Sequence, residues 1–254
     1  MRVHHLNCGT LRRTEPAEPP AVCHCLLIET DAAGLVLVDT GIGTLNLREP
    51  IESLGEDFLG WAEPVLAEDE PAIRQIERLG FTASDVRHVI VTHLHRDHVG
   101  GLPDFPEASV HLHQAEYDAG VPGQGIYFGA AWAHGPAWVT YDGTAGDEWY
   151  GFEGVRQFDG LPAEILMVPL TGHTPGHIGV AVQAGDDWLL HAGDAYVHRN
   201  EIHGGRWPES VDLIEARAEA DRAQRLSTLD LLRTTRLRTI SAHDPVEFAE
   251  LAKV

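Results

Sequence analysis

Apolar positions in this chain fall in short runs punctuated by glycine and polar clusters. Val22 to Glu29 and Leu35 to Val38 are apolar and rich in β-branched residues, and Thr30-Asp31-Ala32-Ala33-Gly34 between them is turn chemistry. The segment predicts strand, turn and strand, the second strand ending in Asp39-Thr40-Gly41. Ile73, Ile76 and Leu79 share one face at helical spacing, with Pro71 suited to a first turn and Gly80 to a stop, which predicts a helix over Pro71 to Leu79. His88 to Thr92 and Ser109 to His113 read as buried-type strands. Ile165 to Leu170, Ile178 to Val182, Trp188 to His191 and Leu237 to Ala242 read as later ones, with a helical stretch from about Val211 to Arg236 before the last. Strands and helices alternate in both halves, which favours a layered α/β architecture with helices covering sheets.

One region breaks the alternation. Tyr127, Phe128, Trp132, Trp138, Tyr141, Trp149, Tyr150 and Phe152 crowd a glycine-rich, weakly periodic stretch, an excursion at about 120–155. Either it packs on its own rings, or it supplies a pocket wall or a subunit contact. The length, 254 residues with 43% hydrophobic, suits one domain over 1–254 better than two small ones.

Charge narrows the partners. Eighteen Lys and Arg against 39 Asp and Glu give a formal charge of −21, which repels a phosphate backbone and an anionic membrane surface. Neither nucleic acid nor membrane is an expected partner, and the acidity names no substrate. Met1 to Pro20 lacks the apolar core of a signal peptide and no apolar run approaches a membrane span, so a soluble cytoplasmic protein is expected. Three cysteines, Cys8, Cys23 and Cys25, are an odd number without zinc-type pairing. In an extended strand the two sulfurs of Cys23-His24-Cys25 face one side with no second pair to complete a site, which reads as strand packing.

The chemistry concentrates after the strand at His88 to Thr92. His93-x-His95-x-Asp97-His98 compresses three imidazoles and a carboxylate into six residues. In extended backbone His93 and His95 point to one side, and a following turn can bring Asp97 and His98 to a neighbouring point, allowing two adjacent metal sites. One segment completes neither. Supporting groups follow other apolar strands: His173 in Gly172-His173-Thr174-Pro175-Gly176-His177, Asp194 in Ala192-Gly193-Asp194, and His243 in Ala242-His243-Asp244. Five imidazoles and two carboxylates suit zinc, and also iron, manganese or cobalt. Two zinc ions are the expected cofactors.

The order and spacing of these motifs resemble the metallo-β-lactamase superfamily, and the resemblance runs from Val22 to His243. It implies a four-layered αβ/βα sandwich with the metals at one edge between two sheets. His93, His95 and His173 would hold the first metal, Asp97, His98 and His243 the second, and Asp194 would bridge them. Asp39 matches the family's aspartate after the early strand, which would hydrogen-bond the ligand loop and fix its geometry. Two close cations can hold a bridging hydroxide at neutral pH, and that hydroxide would attack an ester-like carbonyl, with Asp97 orienting it or carrying the proton to the leaving group.

Within the superfamily the motif set with a bridging aspartate is most similar to the N-acyl homoserine lactonases and to glyoxalase II thioesterases. The expected activity is opening of a lactone or cleavage of a small carboxylic ester. The alternatives are thioester hydrolysis and a mononuclear iron oxygenase like the persulfide dioxygenases. The nucleases of the superfamily fit poorly, because the chain has no basic cluster. Lactonases place a tyrosine near the bridging aspartate, and Tyr196 is the candidate here, although the spacing is one residue shorter. A small-molecule partner is expected and a homodimer stays open. His177, His191, His198 and His203 lie near the ligand motifs and read as supporting or surface residues. His4, His5, His24, His88, His111, His113 and His134 carry no spacing that argues for a site.

Overall fold

Period-two alternation in the early strands decides the layering. The computed structural model describes residues 1–12, 19–123, 125–143 and 146–252; positions 124, 144 and 145 of the aromatic-rich excursion lie outside the described residues. Six strands build the first sheet: β1 (Arg2–Leu11), β2 (Ala21–Glu29), β3 (Leu35–Val38), β4 (Val86–Ile90), β5 (Ser109–His113) and β6 (Ala137–Tyr141). They lie in sequence order, antiparallel from β1 to β3 and parallel from β3 to β6. The second sheet holds β7 (Asp147–Trp149), β8 (Phe152–Gln157), β9 (Ile165–Pro169), β10 (Ile178–Ala184), β11 (Asp187–His191) and β12 (Arg238–Ile240), again in order. Only β11 and β12 pair in parallel there.

Leu26, Ile28, Val36, Val38 and Ile90 of the first sheet meet Ile165, Met167, Ile178, Val180, Val182 and Ile240 of the second in one buried core. Their neighbours in register, Leu27, Leu37, Val89, Val110 and Leu112, face the other way into a separate cluster with Ile76 and Leu102. On the far side of the second sheet Val168, Ala181 and Leu190 pack against Leu229 and Leu232. The result is helix, sheet, sheet, helix. A one-residue slip of β2 would exchange its two apolar faces, so its register is set by the ladders to β1 and β3 and by the fit of each face to its own close-packed core.

The covering helices are α1 (Thr44–Arg48), α2 (Pro50–Leu54), α3 (Glu56–Ala62), α4 (Ala72–Arg78), α5 (Arg96–Val99), α6 (Gln114–Gly120), α7 (Asn200–His203), α8 (Glu209–Ala218), α9 (Arg222–Thr234) and α10 (Pro245–Leu251). The expected helix after Pro71 is α4, but Leu79 is exposed rather than on its buried face. It caps the helix, and Gly80 at φ +92 turns the chain away. The helical stretch expected from Val211 to Arg236 is two helices. Between α8 and α9, Ala220 N donates to the carbonyls of Gly172 and His173 and Asp221 N to Gly172, while the Asp221 side chain caps α9 through Gln224 N. The interruption therefore supports the loop that carries His173.

Candidate metal centre

Every sheet strand that leads toward the site ends at the same edge. β4 runs out into His93 and His95, and the short α5 begins directly after His95, with His98 N donating to His95 O at 3.0 Å. That turn swings Asp97 and His98 inward, and Thr40 N and Thr40 Oγ1 both donate to His98 O. The loops after β9, β11 and β12 deliver His173, Asp194 and His243. All seven residues named from the sequence converge at one place.

Within it, ligand-type atoms of His93, His95, His173 and Asp194 lie within 4.8 Å of one another, and so do those of His98, Asp194 and His243. Asp194 belongs to both groups and divides its oxygens between them. Its Oδ2 faces His173 Nε2 at 3.4 Å and His93 Nε2 at 3.9 Å; its Oδ1 faces His243 Nε2 at 3.2 Å and His98 Nε2 at 3.3 Å. Asp97 sits on the second side, with Oδ2 3.6 Å from His243 Nε2 and Oδ1 4.0 Å from His98 Nε2.

The far edges of these rings are already held. His243 Nδ1 donates to Val22 O at 2.7 Å and His98 Nδ1 to Asp39 Oδ2 at 2.9 Å. Asp39, at φ +54, also accepts from Thr92 N and Thr92 Oγ1, so it ties the end of β4 to α5. What remains inside is a set of buried atoms without hydrogen-bond partners: Nε2 of His93, His95, His98 and His243, with Asp194 Oδ1. A buried polar atom left unsatisfied costs about 1–3 kcal/mol, and a folded interior does not gather several without compensation. Bound cations would satisfy all of them, so the donor set fits a pair of metal ions.

Electrostatics sort the groups of the site by charge. Burial, reinforced by neighbouring imidazoles, holds His93 and His95 well below the ordinary histidine value, in the neutral form that offers a lone pair. Burial pulls His98 the same way, but the carboxylates of Asp194 and Asp39 outweigh it and raise its pKa. For Asp194 burial opposes ionisation, and His243 and His98 overcome it, so the carboxyl is held well below the usual range.

Several supporting residues were not visible in the sequence. Glu116 of α6 is fully buried and accepts from Leu94 N at 2.9 Å, Thr174 Oγ1 at 2.6 Å and Gly176 N at 3.2 Å. It joins the His93–His98 segment to the His173 loop. In the sequence it is an unremarked acid in a helix's first turn. Glu215 of α8 stands 3.9 Å from His173 Nδ1 and is held by Arg225 Nε at 3.2 Å. His177, read as supporting or surface, is buried: its Nδ1 donates to Leu170 O and its Nε2 accepts from Asp194 N at 2.9 Å. Gly193 has φ +55, and a Cβ there would lie 2.6 Å from that Nε2, so only glycine allows this contact.

A pocket opens over the centre. Its floor is His95, Asp97, His173 and Asp194, and its walls are Phe58 and Trp61 of α3, Ile126, Ile214 and Ala218, with Arg96 and Arg217 among its lining. Arg96 donates to Leu54 O and Asp57 Oδ1 and lies over the rings of Phe58 and Phe128. The aromatic wall thus comes from α3, and of the two readings left open for the excursion its rings follow the packed one, with Ile126 its contribution to the pocket. In the excursion, Tyr127 and Trp132 sit in the first sheet's outer core, Tyr141 is in the core between the sheets, and Trp149 packs on Trp188. Tyr196 also departs from expectation. It is fully buried on the far side of the second sheet, its hydroxyl donates to Glu247 at 3.0 Å, and it does not line the pocket.

A four-layered sandwich with a divided carboxylate between histidine groups at its edge defines a class, the metal-dependent αβ/βα proteins. The chain belongs to the metallo-beta-lactamase superfamily, whose family model matches residues 19–242. It is 39% identical to a probable metallo-hydrolase of Mycobacterium tuberculosis over 96% of this chain and 81% of that protein. It is 30% identical to the N-acyl homoserine lactonase AttM of Rhizobium johnstonii over 75% of this chain and 70% of the relative. In fold it is similar to an N-acyl homoserine lactone hydrolase solved with N-hexanoyl-L-homoserine at its metal centre, at TM-score 0.73 and 18% identity, covering 98% of this chain and 95% of the other. Among the described residues no helix is long and apolar enough to cross a membrane.

Proposed function

We propose that this protein is a dinuclear zinc hydrolase that opens a lactone or cleaves a small carboxylic ester. The observation that carries the reading is the division of Asp194, with Oδ2 toward His93 and His173 and Oδ1 toward His98 and His243. His93, His95 and His173 would hold one ion and Asp97, His98 and His243 the other. Such a pair supplies a water acidic enough to act as nucleophile near neutral pH and a Lewis acid for the carbonyl.

The chain's own groups do the rest. Asp97 lines the pocket floor beside His243 and is placed to orient the attacking water and carry a proton to the leaving oxygen. Asp39, Glu116 and His177 hold the ligand segments at fixed spacing, so no reorganisation is needed when a substrate arrives. Phe58, Trp61 and Ile214 offer an apolar wall that excludes water and accepts an acyl chain. The lactonases among the relatives and neighbours support the lactone reading.

Acid release in a pH-stat tests it, with zinc-loaded and chelator-stripped protein on N-acyl homoserine lactones of several chain lengths and a glutathione thioester alongside. Metal-dependent turnover of the lactones supports the proposal. Preference for the thioester moves the activity to that class, and silence on both with two metals bound discards the substrate class.

A further inference from the structure

The strand reading of Cys23-His24-Cys25 leaves one sulfur in an unexpected place. Cys23 Sγ, Asp97 and His243 offer ligand-type atoms that all lie within 4.8 Å of one another, and all three residues are buried. The position is fixed by backbone on several sides. Cys23 N donates to Asn7 Oδ1 at 3.2 Å, Val22 N donates to His243 O, His24 N donates to Ala242 O, and His243 Nδ1 donates to Val22 O. β2 therefore runs alongside the loop that presents His243, with the Cys23 side chain against the ring's inner edge. His243 Nε2, aimed into this space, is buried and has no hydrogen-bond partner. Behind the sulfur the wall is apolar, formed by Leu11, Ile42, Leu54 and Phe58.

We propose that Cys23 supplies a thiolate ligand to the second metal, alongside Asp97 and His243. With bonds of about 2.0–2.3 Å, neighbouring ligand atoms on one zinc stand about 3–4 Å apart, so the three groups need close by only about 1 Å, and with His98 and Asp194 the thiolate would make the site five-coordinate. The thiol loses its proton to solvent as the metal binds. A sulfur donor in an otherwise nitrogen and oxygen set makes this site softer than its neighbour, which favours zinc or cobalt over manganese there. Cys25, two residues along, points into the outer core beside Cys8 and serves as an internal control. The inference rests on the two-metal reading of the site and not on the substrate.

The test uses the full chain loaded with cobalt(II), with metal counted by mass spectrometry and absorption recorded for the wild type, Cys23→Ser and Cys25→Ser. The expected result is a thiolate-to-cobalt charge-transfer band in the near ultraviolet for the wild type and Cys25→Ser. It is lost in Cys23→Ser while the visible ligand-field bands persist. X-ray absorption of the zinc-loaded wild type, which needs no variant, should show a sulfur shell at about 2.3 Å. Two metals per chain with neither band nor sulfur shell overturns the proposal, as does a band that survives in Cys23→Ser. One metal per chain overturns it together with the two-metal reading. A band with no lactone turnover upholds it and defeats only the substrate reading.

Discussion

Asp194 meets four histidines with two oxygens, and among the described residues it alone belongs both to the His93, His95 and His173 group and to the His98 and His243 group. Removing it should therefore cost more than removing any single imidazole. Asp194→Ala is expected to bind fewer than two metals per chain, with affinity for the remainder lowered by about 100-fold or more, measured by competition with a chromophoric chelator. Tyr196 gives the opposite expectation. Since its hydroxyl serves Glu247 and not the pocket, Tyr196→Phe should lower stability by about 1 kcal/mol in denaturant while leaving kcat/KM nearly unchanged. A large loss of kcat at unchanged stability would return the phenol to the substrate. The metal-binding types were legible in the sequence because five of the seven candidate groups are histidines and four of the seven fall in one six-residue segment. Cys23 was not, because a buried cysteine in an apolar strand is the ordinary case, and only the long-range pairing of β2 with the His243 loop brings it to the site.

At the scale of elements, the strands buried on both faces declared themselves as short apolar runs, as in β2, β3 and β10. β1 did not, since its sequence begins with Arg2, His4, His5 and Asn7 and its apolar side appears only from Leu6 onward. The strands β6 to β8 were hidden by aromatic and glycine residues that gave no clean period. The split between α8 and α9 was hidden too, because its cause lies in the distant carbonyls of Gly172 and His173. Gly172 is the sharpest probe of that junction. It has φ +125, and a Cβ there would lie 2.2 Å from Arg225 N, a backbone atom that cannot step aside. Gly172→Ala should displace the His173 loop from α9, with a loss of about 2 kcal/mol or more in unfolding free energy and faster metal release in a stopped-flow chelation assay.

Across the whole molecule, buried carboxyls outside the metal centre set a pH dependence. Burial and Asp244 push Glu247 up to about 8, against the hydrogen bonds from Ser241 N and Tyr196 and the Arg199 charge; His203 stands 3.9 Å away. In the unfolded chain the same group titrates near the ordinary glutamate value of about 4.3. Between those values the folded protein holds the extra proton, so this group's stabilisation is present below the lower value and lost as pH rises to about 8. Glu247→Gln cannot lose that proton. Its Tm relative to wild type should climb steadily from pH 5 to about 8 and then level off; a constant difference from pH 5 to 9 would contradict the assignment.

The central claim is that one carboxylate separates two metal ions at the edge of the sandwich. Anomalous diffraction at the zinc edge from crystals of the zinc-loaded protein addresses it directly. The account expects two peaks about 3.5–4 Å apart, one among His93, His95 and His173 and the other among Asp97, His98 and His243, with Asp194 between them. A single peak, or two peaks not bridged by Asp194, would contradict it.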